Sequence, residues 1–154
     1  MRLFFMTQVE QSYKDVVAGF SLDLFQRVLP SYPRTTIKRF DGYNEGDEVH
    51  IEIHIPILNR TELWISRIIQ QGEIHGHDIY ADEWYFIDEG VELPSFLISW
   101  WHLHRIVQSE SGSTFIIDEI EYRAPWYMQP FVHVVLSSQF AARQPIYREY
   151  FRQR

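Results

Sequence analysis

The chain has 154 residues, enough for one domain with a substantial core, and its 45% hydrophobic and 23% charged residues are ordinary for a globular protein. A net charge of −7 with no basic stripe argues against nucleic acid as a partner, because phosphates must be neutralised. The absence of cysteine excludes a disulfide framework, a thiol nucleophile and a thiolate metal site.

Aromatic residues are in excess, with 5 Trp, 9 Tyr and 11 Phe. Large rings suit a thin sheet that covers a wide cavity or a flat partner, although a well-filled core uses them too. The apolar run near the N-terminus is too short for a signal peptide, and no later run approaches a membrane span. The expected location is a reducing cytoplasm, with no membrane insertion.

Residues 2–10 read as a strand. Ser12 is placed to cap a short helix that ends at Gly19, and a second short helix is expected from Ser21 to Leu29 before Pro30. From residue 35 the period changes to two. Val49, Ile51, Ile53 and Ile55 alternate with Glu48, His50, Glu52 and His54, which predicts a half-buried strand with His50 and His54 toward solvent. Further strands are predicted over 61–70, 79–88, 98–108 and 114–123. The first two of these are joined by a hairpin from Gly72 to His77, with His75-Gly76-His77 as its exposed tip.

After Pro125 the pattern is helical. Phe131, Val135 and Ala142 mark one stripe and Val132, Leu136 and Phe140 another, so the helix is expected to be packed on two sides. Continuous from Met128 to Arg152 it spans about 37 Å, with a kink or break near Arg143 caused by Pro145. A meander of strands followed by one terminal helix gives an α+β two-layer fold in a single domain, residues 1–154.

The most distinctive stretch reads Trp100-Trp101-His102-Leu103-His104, then Thr114, Asp118, Tyr122 and Pro125. It resembles the ligand-binding branch of the SRPBCC superfamily, the START and Bet v 1-like helix-grip proteins. Many of these carry a Trp-x-His-x-His strand followed by a Thr-x3-Asp-x3-Tyr-x2-Pro strand. Gly112-Ser113-Thr114 departs from the pattern of many relatives, in which Gly directly precedes Thr. The resemblance implies a curved antiparallel sheet of about seven strands around the C-terminal helix. It also implies a cavity for a small hydrophobic or amphipathic ligand, such as a lipid, polyketide or aromatic molecule, and no particular reaction.

Trp100, His102 and His104 share one face of their strand, and Thr114, Asp118 and Tyr122 share one face of the next. Asp88, Trp84 and those residues (Trp100, His102, His104, Asp118 and Tyr122) are the candidate ligand-binding set. His102, His104 and Asp118 could instead act as acid and base in a cyclase, dehydratase or hydrolase. A network that braces the sheet ranks ahead of catalysis, and a metal ranks last because spacing places no third ligand. No cofactor motif is present, since phosphate loops, GxSxG and HExxH are all absent. Trp64, Tyr85 and Trp126 are further candidates to line a pocket, and an exposed aromatic patch would mark a protein-interaction module instead.

Overall fold

The computed structural model describes residues 1–76 and 80–152. Strand β1 (Arg2–Val9) leads into helices α1 (Tyr13–Gly19) and α2 (Leu22–Val28). Strands β2 (Thr35–Phe40), β3 (Glu48–Ile55), β4 (Arg60–His75), β5 (Tyr80–Glu92), β6 (Ser99–Ser109) and β7 (Thr114–Arg123) follow, and helix α3 (Gln129–Tyr150) closes the chain. The seven strands form one antiparallel sheet in the order β1-β7-β6-β5-β4-β3-β2. β2 to β7 are therefore a meander, and β1 adds to its far edge. α1 and α2 carry the chain from one edge of the sheet to the other.

Both short helices begin where side-chain caps predict. Ser12 Oγ accepts from the Asp15 N–H at 3.3 Å and Ser21 Oγ from the Leu24 N–H at 3.4 Å, each satisfying an orphan donor of the first turn. Two register shifts between β4 and β5 mark bulges, which bend the longest hairpin of the sheet.

The hairpin differs from expectation. β4 continues to His75, so Gly72 is a strand residue, directly opposite Tyr85. A Cβ at Gly72 would lie 2.8 Å from the Tyr85 hydroxyl, so glycine here makes room for a ring rather than a turn. His75 is exposed and bonds Asp82 at 2.6 Å; His77 lies outside the described residues. His50, expected toward solvent, is half-buried against Glu48 at 2.8 Å, and His54 is half-buried as well.

Helix α3 also corrects two expectations. Its buried residues are Val132, Leu136, Phe140 and Tyr147, whereas Phe131 and Val134 are exposed. Of the other expected stripe, Phe131 and Ala142 are exposed and Val135 is half-buried, so α3 packs mainly on one side. The helix also runs unbroken through Pro145. Ala141, whose carbonyl loses its usual donor there, is exposed together with Pro145, so water can serve the freed group. None of the described helices is long and apolar enough to cross a membrane.

Two apolar clusters fill the space between the sheet and α3. One gathers Val16, Leu24, Phe86, Ile106, Tyr147 and Phe151 under α1 and α2. The other gathers Trp100, Ile120, Tyr122, Val132, Leu136 and Phe140 toward the start of α3. Phe151 is fully buried and stacks on Phe20 at 6.3 Å, and its carbonyl accepts from the Gln11 N–H at 3.2 Å. Phe151→Ala is expected to cost about 3–5 kcal/mol in urea unfolding, and Phe131→Ser less than about 0.5 kcal/mol. A loss of comparable size in both variants would overturn the one-sided packing of α3.

Candidate functional site

The inner face of β6 carries Trp100, His102, His104 and Ile106 in sequence alternation, so the polar pair sits between two apolar residues. Register then decides what each imidazole meets. His104 stands opposite Asp118 of β7, and His102 stands opposite Asp88 of β5. The four side chains form a square of alternating acid and base at the centre of the sheet. The apolar clusters lie on either side of it.

The hydrogen bonds of the square run along its diagonals. His102 Nε2 and Asp118 Oδ1 are 3.0 Å apart, as are His104 Nε2 and Asp88 Oδ2. Directly across the strands, His102 Nδ1 lies 3.4 Å from Asp88 Oδ2 and His104 Nδ1 lies 3.3 Å from Asp118 Oδ1. The latter approach does not have hydrogen-bond geometry, so His104 Nδ1 is buried without a bonded partner. The Trp100 indole N–H donates to Asp88 Oδ1 at 2.9 Å.

Rings enclose the square. Phe86 stacks on His104 at 4.2 Å, and Phe140 of α3 meets His102 edge-on at 5.1 Å. The imidazole centroids themselves are 3.5 Å apart. Side chains of His102 and Asp118 are each 3% exposed, against 14% for His104 and 11% for Asp88, so the slight opening is on the Asp88–His104 side.

Burial alone would push both carboxyls up. Hydrogen bonds from His102 and His104, together with their charge, outweigh it and hold Asp88 and Asp118 far below the usual carboxylate range. Burial would likewise lower His104, yet the Asp118 and Asp88 carboxylates close to its two nitrogens raise it above its ordinary value of 6.5. Asp88, His102 and His104 each offer one ligand atom to a common point, the three lying within 4.8 Å of one another.

The other sequence candidates are placed apart from the square. Tyr122 directs its hydroxyl to His133 Nδ1 of α3 at 2.8 Å. Trp84 packs with Phe20, Tyr43 and Phe86 in the core under α1 and α2. Trp126 is 85% exposed, and Tyr85 bonds Gln70 at the β4–β5 hairpin. Trp64 does face inward, edge-on to Trp100 at 4.8 Å.

Sequence reasoning missed Phe140, Arg143 and His133, which reach the inner face only because α3 docks there. Phe140 also contacts Trp100 at 6.1 Å, and the Arg143 guanidinium lies 4.0 Å over the Phe140 ring. These rings occupy the inner face where an open pocket was expected. Hollows are present elsewhere among the described residues. One of about 740 Å³ lies at the sheet end beside Gln11, Ser113 and Arg148, and one of about 230 Å³ lies beside Phe4 and Trp101. Neither borders the square.

The titration signs give a test. Stability from His104 protonation is complete below pH 6.5 and is lost as pH rises through its raised folded value. Stability from the two carboxylates is present above 3.8 and is lost as pH falls through their depressed values. Urea unfolding in EDTA should therefore show the wild-type advantage over Asp118→Asn greatest between about pH 4 and pH 6.5, shrinking on both sides. A difference constant with pH would show that the square carries no such charge.

No family model and no curated protein matches this sequence. Solved structures do. A protein from Arthrobacter aurescens aligns with a TM-score of 0.60 and 11% identity over 91% of this chain and 79% of that one. Ara h 8.0201 aligns at 0.55 and 10% identity over 95% and 96%. The di-domain ARO/CYC StfQ from the steffimycin biosynthetic pathway aligns at 0.54 and 10% identity over 93% of this chain, which spans 44% of that longer protein. What these likenesses share with the chain is its architecture: it has a helix-grip fold, a seven-stranded curved antiparallel sheet closed by a long C-terminal helix.

Proposed function

We propose that the inner face of the sheet, under the middle of α3, binds a small amphipathic ligand with an apolar body and an anionic or carbonyl end. The observation that carries this reading is a pair of buried donors without acceptors. Trp64 Nε1 and Arg143 Nε are both sealed from solvent and hydrogen-bonded to nothing among the described residues. Buried donors are normally satisfied, so two on one apolar face call for an acceptor from outside the chain. They are joined by continuous ring contact through Trp100 and Phe140.

The half-buried side chains Leu3, Phe5, Trp64, Leu93, Phe96 and Met128 form the rim of the same cluster. They are the groups that yield when a ligand enters, because partly exposed side chains have more room to change rotamer. The fold supports the reading as a scaffold, since it sets a helix across a curved sheet. Acid–base catalysis by His102, His104 and Asp118 is the weaker alternative. Each imidazole directs both nitrogens at carboxylates, which leaves none aimed at a substrate.

The test uses 8-anilinonaphthalene-1-sulfonate, an anionic aromatic amphiphile, with native mass spectrometry of the purified chain alongside. Wild type is expected to bind one equivalent, and Arg143→Gln to weaken binding about tenfold or more while leaving the Tm nearly unchanged. Equal binding by wild type and Arg143→Gln, or no binding by either, would refute the assignment.

A further inference from the structure

We propose that Asp88, His102 and His104 bind one divalent transition-metal ion of the zinc class, with Asp118 orienting both imidazoles from behind. This site is separate from the ligand face and stands on its own geometry.

Its first support is spacing. Asp88 Oδ2 lies 3.4 Å from His102 Nδ1 and 3.0 Å from His104 Nε2. Bonds of about 2.0–2.2 Å to a tetrahedral ion place its ligand atoms about 3.3 Å apart, so these separations are those of neighbouring ligands. The imidazole rings, now 3.5 Å apart at their centroids, splay on binding so that both nitrogens aim at one ion.

The second support is a carboxylate placed as an outer shell, bonded to His102 and close to His104. Ligating histidines commonly donate their other N–H to a carboxylate, which fixes tautomer and orientation. Here Asp118 Oδ1 lies 3.0 Å from His102 Nε2 and 3.3 Å from His104 Nδ1, the far nitrogens of both rings. The Trp100 N–H occupies Asp88 Oδ1 at 2.9 Å and leaves Oδ2 for the ion.

The third is a count of hydrogens. Four imidazole nitrogens face carboxylate oxygens, but two neutral imidazoles carry only two N–H groups. Filling all four contacts with protons requires two imidazolium rings in contact, and leaving two unfilled sets lone pairs against a carboxylate. A divalent cation on the Asp88 side replaces two protons. Both histidines are then neutral, each with its N–H toward Asp118, and the ion balances the two carboxylates.

Two imidazoles and a carboxylate suit zinc, iron(II), cobalt or nickel rather than the oxygen-seeking magnesium or calcium. The 11% and 14% exposure of Asp88 and His104 marks the side of entry.

The experiment is calorimetric titration of the EDTA-treated full chain with Zn2+ at about pH 7.5, above the ordinary histidine pKa, with Mg2+ as the control. Expected are one Zn2+ per chain, a Tm that rises with Zn2+ concentration, a change in Trp100 emission, and no response to Mg2+. Asp118→Asn should weaken Zn2+ binding about 10–100-fold, and His104→Gln at least as much. His75→Ala should leave it unchanged, since His75 with Glu73 and Asp82 is the obvious adventitious chelator. If the site variants do not fold, the Co2+-loaded wild type decides: its proton NMR spectrum should show hyperfine-shifted, exchange-protected N–H signals from two histidines. Binding lost with His75→Ala, absence of those signals, or no Zn2+ uptake by wild type would overturn the proposal.

Discussion

Two carboxylates buried on one face of a sheet must be neutralised by groups the sheet itself brings to them, because leaving them unpaired costs several kcal/mol each. In this fold that requirement falls on three neighbouring strands, and it constrains much else. Asp88, His102, His104 and Asp118 meet only in the register in which β5, β6 and β7 are paired. A slip of one residue would turn both histidines to the convex face and strand the acids among apolar side chains. The square is thus also a register lock, and the long strands β4 to β7 can extend from it without ambiguity.

The apolar clusters are arranged by the same constraint. Along β6 the inner face runs Trp100, His102, His104, Ile106, and along β7 it runs Tyr122, Ile120, Asp118, Ile116. Polar residues occupy the middle of both strands, so the core is divided into two parts. The part under α1 and α2 is closed by Phe151 and Tyr147, both almost wholly buried. The part under the start of α3 has a half-buried rim and unsatisfied donors. One half of the core is closed, and the other is the half to which the proposed ligand face belongs.

Much of this was legible before any coordinates. Ser12 and Ser21 announce their helices because a cap is a local interaction of adjacent residues. The alternation of Trp100, His102 and His104 places them on one face for the same local reason. Asp118 and Asp88 were legible as candidates for the same network, but which imidazole each meets was not, because each acid lies 14 residues from the histidine opposite it and meets it only through strand pairing. Likewise Gly72 carries the signature of a turn, and only the ring of Tyr85 opposite it explains a glycine inside a strand. Two apolar stripes on α3 looked like two packed faces. A helix at the surface of a two-layer fold has only one layer to meet, and Phe131 is left exposed. The convex face held its own surprise: Arg105 bridges the buried Glu83 and Glu119 at 2.8 and 2.9 Å, a contact set diagonally across three strands.

Phe140 joins the two chemistries of the inner face. Its ring touches Trp100 on the apolar side, His102 in the square and Arg143 above. The ring that helps desolvate His102 is therefore the ring that lies under the Arg143 guanidinium. Trp100 has a similar double role, since its indole face packs against Trp64 while its N–H fixes Asp88. Any guest lodged between Trp64 and Phe140 alters the dielectric around the square without touching it. The square and the proposed ligand face thus share two aromatic side chains, Trp100 and Phe140, each packed against groups of both.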